Sequence, residues 1–211
     1  VKIVCTHAGV ITGEDGVSAH SIEDLALMSS LPGFTVVAPC DAVETDRAVR
    51  AIVAIPGPAY IRLYRPPLPV LHGGDYGFTL GRAERMRDGS DATIVAIGSM
   101  VAAAVQAAQE LANEGVECRV LNMHTLAPAD EEAIVQAARE TGALVTAEEH
   151  LAHGGLASMV AGILCRQAPA PLDVVALQGY AESGLPADLV RKYGLTAADI
   201  KEAVRRVLNR K

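Results

Sequence analysis

At 211 residues, half of them hydrophobic, the chain can bury one sizeable core or two small ones. Lys and Arg number 18 against 25 Asp and Glu; the net charge of -7, with no long run of one sign, excludes a surface built to hold nucleic acid. No apolar run reaches a membrane span and no signal-peptide succession opens the chain, while Cys5, Cys40, Cys118 and Cys165 are not paired at metal-ligand spacings, so reduced, buried thiols in a cytoplasmic protein are expected.

Val1, Ile3 and Val4 read as a strand that starts at the first residue, with no initiator Met and no preceding turn, so the chain is expected to be a fragment or to lack its start. A Gly-rich loop from His7 to Ser21 follows, then a short helix from about Ile22 and a strand over 35–38. Asp41 and Glu44 make a capping-box pattern for a helix that Pro56 stops after Ile55, with Val43, Val49, Ile52 and Val53 on its apolar side. A strand over 60–64 closes this part, whose alternation of strand and helix demands a parallel sheet covered by helices.

The segment 66–77 carries Pro66, Pro67, Pro69, Gly73, Gly74 and Gly77 and reads as an extended connector. Beyond it, strands over 93–97, 117–122, 143–147 and 172–177 alternate with helices starting near Met100, Asp130, Gly155 and Ala187. Gly115 and Gly142 stand where helices end, and Thr196 with Asp199 makes a capping box for the last one. The expected division is part of a domain over 1–65, a linker with a leading strand over 66–91, and a complete α/β domain over 92–211.

Chemistry concentrates in the loop from His7 to His20, directly after a strand, where open parallel sheets meet their ligands. Its two imidazoles and two carboxylates can bond hydroxyls, move protons or attract phosphate, although composition alone fits a plain connecting loop equally well.

The run "THAGVITGEDGVSAHSIEDLALM" resembles the substrate-loop segment of transketolases, and the resemblance continues through "LPGFTVVAPCDAVET", "GPAYIRLYRPPLPVL", "GSDATIVAIGSMVAAAVQAAQEL" and "GLPADLVRKYGLTAADI". It covers almost the whole chain. It implies an α/β fold made of a partial thiamine-enzyme pyrimidine domain and a complete transketolase C-terminal-like domain with a mostly parallel sheet. The implied activity is thiamine diphosphate-dependent transfer of a two-carbon ketol unit between phosphorylated sugars, in which the cofactor is the electron sink. The Glu that activates the cofactor and the aromatic that stacks on it have no counterpart here. Thiamine diphosphate and its divalent metal (Mg) are therefore expected on a partner, an N-terminal transketolase subunit or domain, with this chain inactive alone and the assembly a homo-oligomer, a dimer of active units.

By the same resemblance, His7 holds the phosphorylated sugar and takes part in catalysis, Asp15 reads a substrate hydroxyl and Arg65 clamps the phosphate. These residue types suit those tasks: imidazole donates to phosphate, carboxylate accepts a hydroxyl hydrogen, and guanidinium offers bidentate charged bonds. Where the family pattern has a catalytic His, this chain has Ala19, and His20 one residue later is the candidate to take over. No cofactor-binding residue is identified and no metal site is expected. Arg62 receives no role.

A second candidate, Glu148 to Gly155, offers two carboxylates and two His in what reads as a loop between strand and helix. Metal ligation there is the minor reading, and the resemblance makes it a domain-contact loop. Gly154 and Gly155 before a helix give only a weak anion-cradle signal. His72 and His124 are expected to stand alone as structural residues. Competing identities are deoxyxylulose-phosphate synthase, a 2-oxoacid dehydrogenase beta-type subunit, and a non-catalytic assembly module.

Overall fold

A computed structural model describes residues 1–211. In the first sheet β1 (Lys2–Cys5), β2 (Thr35–Val37) and β3 (Ala59–Arg62) are parallel and β7 (Thr125–Ala127) lies antiparallel against β2, in the order β1-β3-β2-β7. The second is built from β4 (Glu84–Arg87), β5 (Ala92–Ala96), β6 (Cys118–Asn122), β8 (Leu144–Leu151) and β9 (Leu172–Leu177), in the order β4-β6-β5-β8-β9. All its pairs are parallel except β4 with β6. This is the α/β architecture that the alternation predicts. β7 departs from the expected division: it lies within the 92–211 segment, yet completes the first sheet.

Parallel strands need crossovers, and the helices supply them. On one face of the second sheet, α3 (Met100–Ala112) and α7 (Ala197–Leu208) bury Val101, Ala104, Ala108 and Leu111 with Ile200, Val204 and Val207 against Ala92, Ile94 and Ala96. The Ala-rich stripe of α3 lets it lie close to the sheet, and truncating the one large residue at its end, Leu111→Ala, would cost about 2–5 kcal/mol. The other face carries α4 (Glu131–Thr141) and α5 (Leu156–Gln167), whose Ile134, Val160 and Ile163 join Val95, Ile97 and Leu144. The period of two along β5 sends its side chains alternately to these two cores. The second core also takes in Leu25, Val36 and Tyr60 from the first part of the chain, so the two sheets share it.

Local signals act where expected. Asp41 Oδ1 accepts the Glu44 N–H at 2.8 Å and starts α2 (Ala42–Ala54), while Glu44 Oε2 accepts the Cys40 N–H, one residue before the cap. Thr196 and Asp199 form the reciprocal box at α7, and Gly142 closes α4 in the left-handed conformation.

Four expectations need correction. Ile52 is buried on α2 but Val53 is 67% exposed, because α2 meets the sheet through a narrow stripe with Ala48. Cys5 and Cys165 are exposed, and only Cys40 and Cys118 are buried. His72 and His124 do not stand alone: His72 bonds Asp41 and Glu84, and His124 packs on Phe78 with its Nδ1 2.8 Å from Thr125 Oγ1. The 148–151 segment is the end of β8, because Leu151 pairs with Leu177 and its N–H reaches the Ile22 carbonyl.

Candidate functional site

β1 and β3 lie side by side with Cys5 opposite Arg62, so their carboxyl ends open on the same edge. The pairing runs past the strands: Leu63 N donates to Cys5 O at 2.7 Å and Ala8 N to Leu63 O at 3.2 Å. His7 and Arg65 therefore emerge from neighbouring loops. His7 is exposed and holds φ 65, a conformation rare for a side-chain-bearing residue, which the Thr12 hydroxyl supports by donating to His7 O at 2.6 Å. Thr12 belongs to the 3-10 turn Val10–Asp15 that carries Asp15.

Arg65 Nη1 donates to Asp15 Oδ1 at 2.9 Å and to Thr12 O at 3.4 Å. Both side chains of this ion pair are nearly half exposed, so it contributes about 1 kcal/mol or less and opens easily to a ligand. Asp15 and Arg65 are thus in direct contact, whereas His7 meets the same turn through its backbone carbonyl and its ring Nδ1 lies 2.8 Å from Thr6 Oγ1. His20 lies elsewhere. Its ring is 1% exposed beneath the loop, where Nε2 carries the proton it donates to Gly13 O at 3.0 Å and Nδ1 has no partner.

The turn is fastened by the second part of the chain. Glu149 Oε1 accepts the Ile11 N–H at 2.8 Å, and its Oε2 accepts the Ser99 hydroxyl at 2.5 Å. Gly9, at φ 84, presses its Cα against this carboxylate, where any Cβ would collide. Complete burial raises the Glu149 carboxyl above the usual range, partly offset by the nearby Arg62 charge and these two donors. Arg62 is itself buried, donating from Nη1 to Asp24 Oδ1 at 2.8 Å and from Nη2 to Glu149 O at 2.7 Å, while Tyr60 OH donates to Asp24 Oδ2. Asp24 opens α1 (Asp24–Ser29), so one guanidinium joins β3, α1 and β8. Ser183 and the start of α6 (Pro186–Lys192) meet Gly16 and Gly13 from the other side.

The Glu148 to Gly155 segment works as a junction. Glu148 accepts the N–H groups of Leu156 and Ala157, each at 2.7 Å, so the anion at the start of α5 is the chain's own carboxylate; a Cβ on Gly155 would strike it. Burial pushes Glu148 up to about 7 against these donors. His150 donates from Nδ1 to Leu151 O and accepts the Ala26 N–H on Nε2, which fixes a neutral ring, and burial lowers its basicity. Glu148, Glu149 and His150 are committed inside the protein, whereas His153 is exposed, so the four groups do not converge as a metal cage.

Arg62, Asp24 and Glu149 are the residues holding this region together that sequence reasoning missed. One signal was present: Tyr60, Arg62 and Tyr64 share a side of β3, and the guanidinium lies 5.5 Å from the Tyr64 ring centroid. Its partners, 38 and 87 positions away, have no local signature.

Residues 81–200 match the family model "Transketolase, C-terminal domain" and residues 1–70 match "Transketolase, pyrimidine binding domain". A 6-deoxy-6-sulfo-D-fructose transketolase subunit of Clostridium sp. (strain MSTE9) is 42% identical over 212 residues, which cover 100% of this chain and 66% of that protein. A subunit of the apulose-4-phosphate transketolase of Phocaeicola vulgatus is 40% identical over 84% of this chain and 57% of its own length. This chain thus spans two thirds or less of both curated relatives. A solved structure described as "Split gene transketolase, inactive beta4 tetramer" superposes with a TM-score of 0.94 at 44% identity, covering 99% of this chain and 67% of that one. The Campylobacter jejuni transketolase shares the fold at a TM-score of 0.79 and 22% identity.

Proposed function

We propose, since this chain belongs to the transketolase family, that it is the substrate-binding part of a split-type transketolase that moves a two-carbon ketol unit between phosphorylated sugars. The observation that carries this reading is the exposed surface at the ends of β1 and β3, where Arg65 and Asp15 touch at 2.9 Å and the His7 backbone is tied to the same turn. Arg65 would take the phosphate in charge-assisted bonds, displacing Asp15, which is then free to accept a sugar hydroxyl. His7 would donate from its ring to the phosphate end or to a nearby oxygen and move a proton there. His20, buried under the turn, would act by holding Gly13 and the turn in place, so a catalytic part would run through that positioning.

One imidazole, one carboxylate and one guanidinium do not make a cage for a diphosphate and its Mg ion, nor a slot for a flat aminopyrimidine. These residues do not fit thiamine diphosphate, and the cofactor belongs to an N-terminal transketolase subunit with which this chain assembles. Self-association, as in the tetramer described for the solved relative, would accompany that assembly. A cytoplasmic location accords with four free cysteines and with the absence of any helix long and apolar enough to cross a membrane.

The test is a ketol-transfer assay with the chain alone, and with the chain plus an N-terminal subunit, thiamine diphosphate and Mg. Activity is expected only in the mixture. Arg65→Ala should then raise KM for the phosphorylated acceptor about 10–100-fold, the value of a hydrogen bond to a charged group, with a smaller change in kcat. An unchanged KM in Arg65→Ala would remove the phosphate assignment, and a complex that assembles without turnover would favour the assembly-module reading.

A further inference from the structure

A second polar cluster lies away from the exposed loop, where the start of α2, the connector and β4 converge. Cys40, Glu44 and His72 are all buried, and one ligand-type atom from each lies within 4.8 Å of the others. Cys40 stands just before the helix cap and Glu44 one turn later, so both turn to the same side of the α2 start. His72 comes from the connector, anchored by its own N–H and that of Leu71 on Asp41 Oδ2, at 2.9 and 2.7 Å. Cys40 Sγ is 3.9 Å from His72 Nδ1. A tetrahedral zinc ion, about 2.3 Å from sulfur and 2.0 Å from nitrogen, holds such atoms roughly 3.6 Å apart, so this pair needs a shift of only a few tenths of an ångström.

The surroundings have the form of an outer shell. A metal-bound imidazole generally gives its other N–H to a carboxylate, and His72 Nε2 is 2.7 Å from Glu84 Oε2. Glu44 Oε1 is filled by two donors, Asn122 Nδ2 and Tyr76 OH, each at 2.8 Å, whereas Oε2 takes only the Cys40 N–H and keeps a lone pair. Three carboxylates, Asp41, Glu44 and Glu84, surround a single imidazole, and no lysine or arginine bonds any of them. The Asn122 carbonyl oxygen is also buried there without a partner.

We propose that Cys40, Glu44 and His72 form a structural site for a borderline divalent cation of the zinc class, fastening the connector to both sheets. The mixed sulfur, nitrogen and oxygen set favours zinc over magnesium or calcium. Binding releases the Cys40 thiol proton and the Nδ1 proton to solvent and leaves a fourth position for water. Asp41 loses its bond to the ring but keeps the N–H groups of Glu44, Leu71 and His72. A cavity of about 410 Å³ opens beside the cluster, lined by Asp41, Ala42 and Thr45 and, at the ends of β1 and β3, by Thr6, Tyr64 and Pro66.

The test uses the 211-residue chain, purified without chelators or a polyhistidine tag, and needs no catalytic assay. Elemental analysis after dialysis against micromolar zinc should give about one zinc per chain, and cobalt titration should produce a thiolate-to-cobalt band in the near ultraviolet. Cys40→Ser, checked for folding by circular dichroism, should abolish that band, and Glu84→Gln should weaken binding about 10–100-fold. Substoichiometric zinc, or a cobalt spectrum without a sulfur band, overturns the proposal, as does a spectrum unchanged in Cys40→Ser.

Discussion

Glu149 on β8 accepts the Ile11 N–H at 2.8 Å across 138 positions of sequence, so the turn bearing Asp15 is held by the part of the chain that carries none of the three exposed groups. Glu149→Ala would leave the Ile11 N–H and the Ser99 hydroxyl without this acceptor, at about 1–3 kcal/mol for a buried orphan. Hydrogen exchange at Ile11 and Thr12 should therefore quicken by roughly 10–100-fold, while Glu149→Gln, which keeps an acceptor, changes it less. In the assembled enzyme, KM for the phosphorylated sugar should rise with little loss of kcat. Equal exchange in both variants would show that the turn holds itself.

The Arg62 and Asp24 pair is buried, and removing one partner strands a charge. Arg62→Met should cost about 3–5 kcal/mol in urea denaturation, and adding Asp24→Leu should recover part of it. A single variant within about 1 kcal/mol of the parent would mean that water reaches Asp24.

Asp15 is the opposite case. Its ion pair with Arg65 is half exposed, so Asp15→Ala should shift Tm by no more than about 2–4 °C. Loss of the hydroxyl acceptor should nonetheless lower kcat/KM by about 10–100-fold in the assembled enzyme. A large Tm change with unaltered kinetics would make Asp15 a structural residue.

His124 sets a pH dependence. Burial lowers it to about 4 from an ordinary 6.5, so as pH falls the unfolded chain takes the proton first. Its contribution to stability is complete above pH 6.5 and is lost between 6.5 and 4, up to about 3 kcal/mol in all. Denaturant midpoints of the parent should fall across this window more than those of His124→Gln. Parallel pH profiles would place the acid sensitivity in other groups.

Much of the frame could be read from the residues themselves because its signals are local. Asp41, Thr196 and Gly142 act within a few positions of where they stand, and the apolar periods of β5 and α3 report their own burial. The failures are tertiary. Thr125–Ala127 is too short for a period and becomes a strand only because β2 presents an open side. The end of β8 carries Glu148, Glu149 and His150, which no strand pattern favours, and is tolerated because each polar group finds a partner across the junction. His72 reads as solitary because Asp41 and Glu84 lie 31 and 12 positions away. The loop containing His7 and Asp15 stands out by its residue types alone, but its contact with Arg65 needed the β1 and β3 register.

β7 also has a consequence for how the chain is made. The first sheet waits for residues 125–127, so during synthesis β1, β2 and β3 are complete long before their last neighbour leaves the ribosome, and the open side of β2 stays available while α3 and β6 emerge. The front half gains its antiparallel edge strand only from the rear half. A chimera that joins the front of this chain to the rear of a relative inherits that dependence, and its donor must supply a strand that fits the open side of β2.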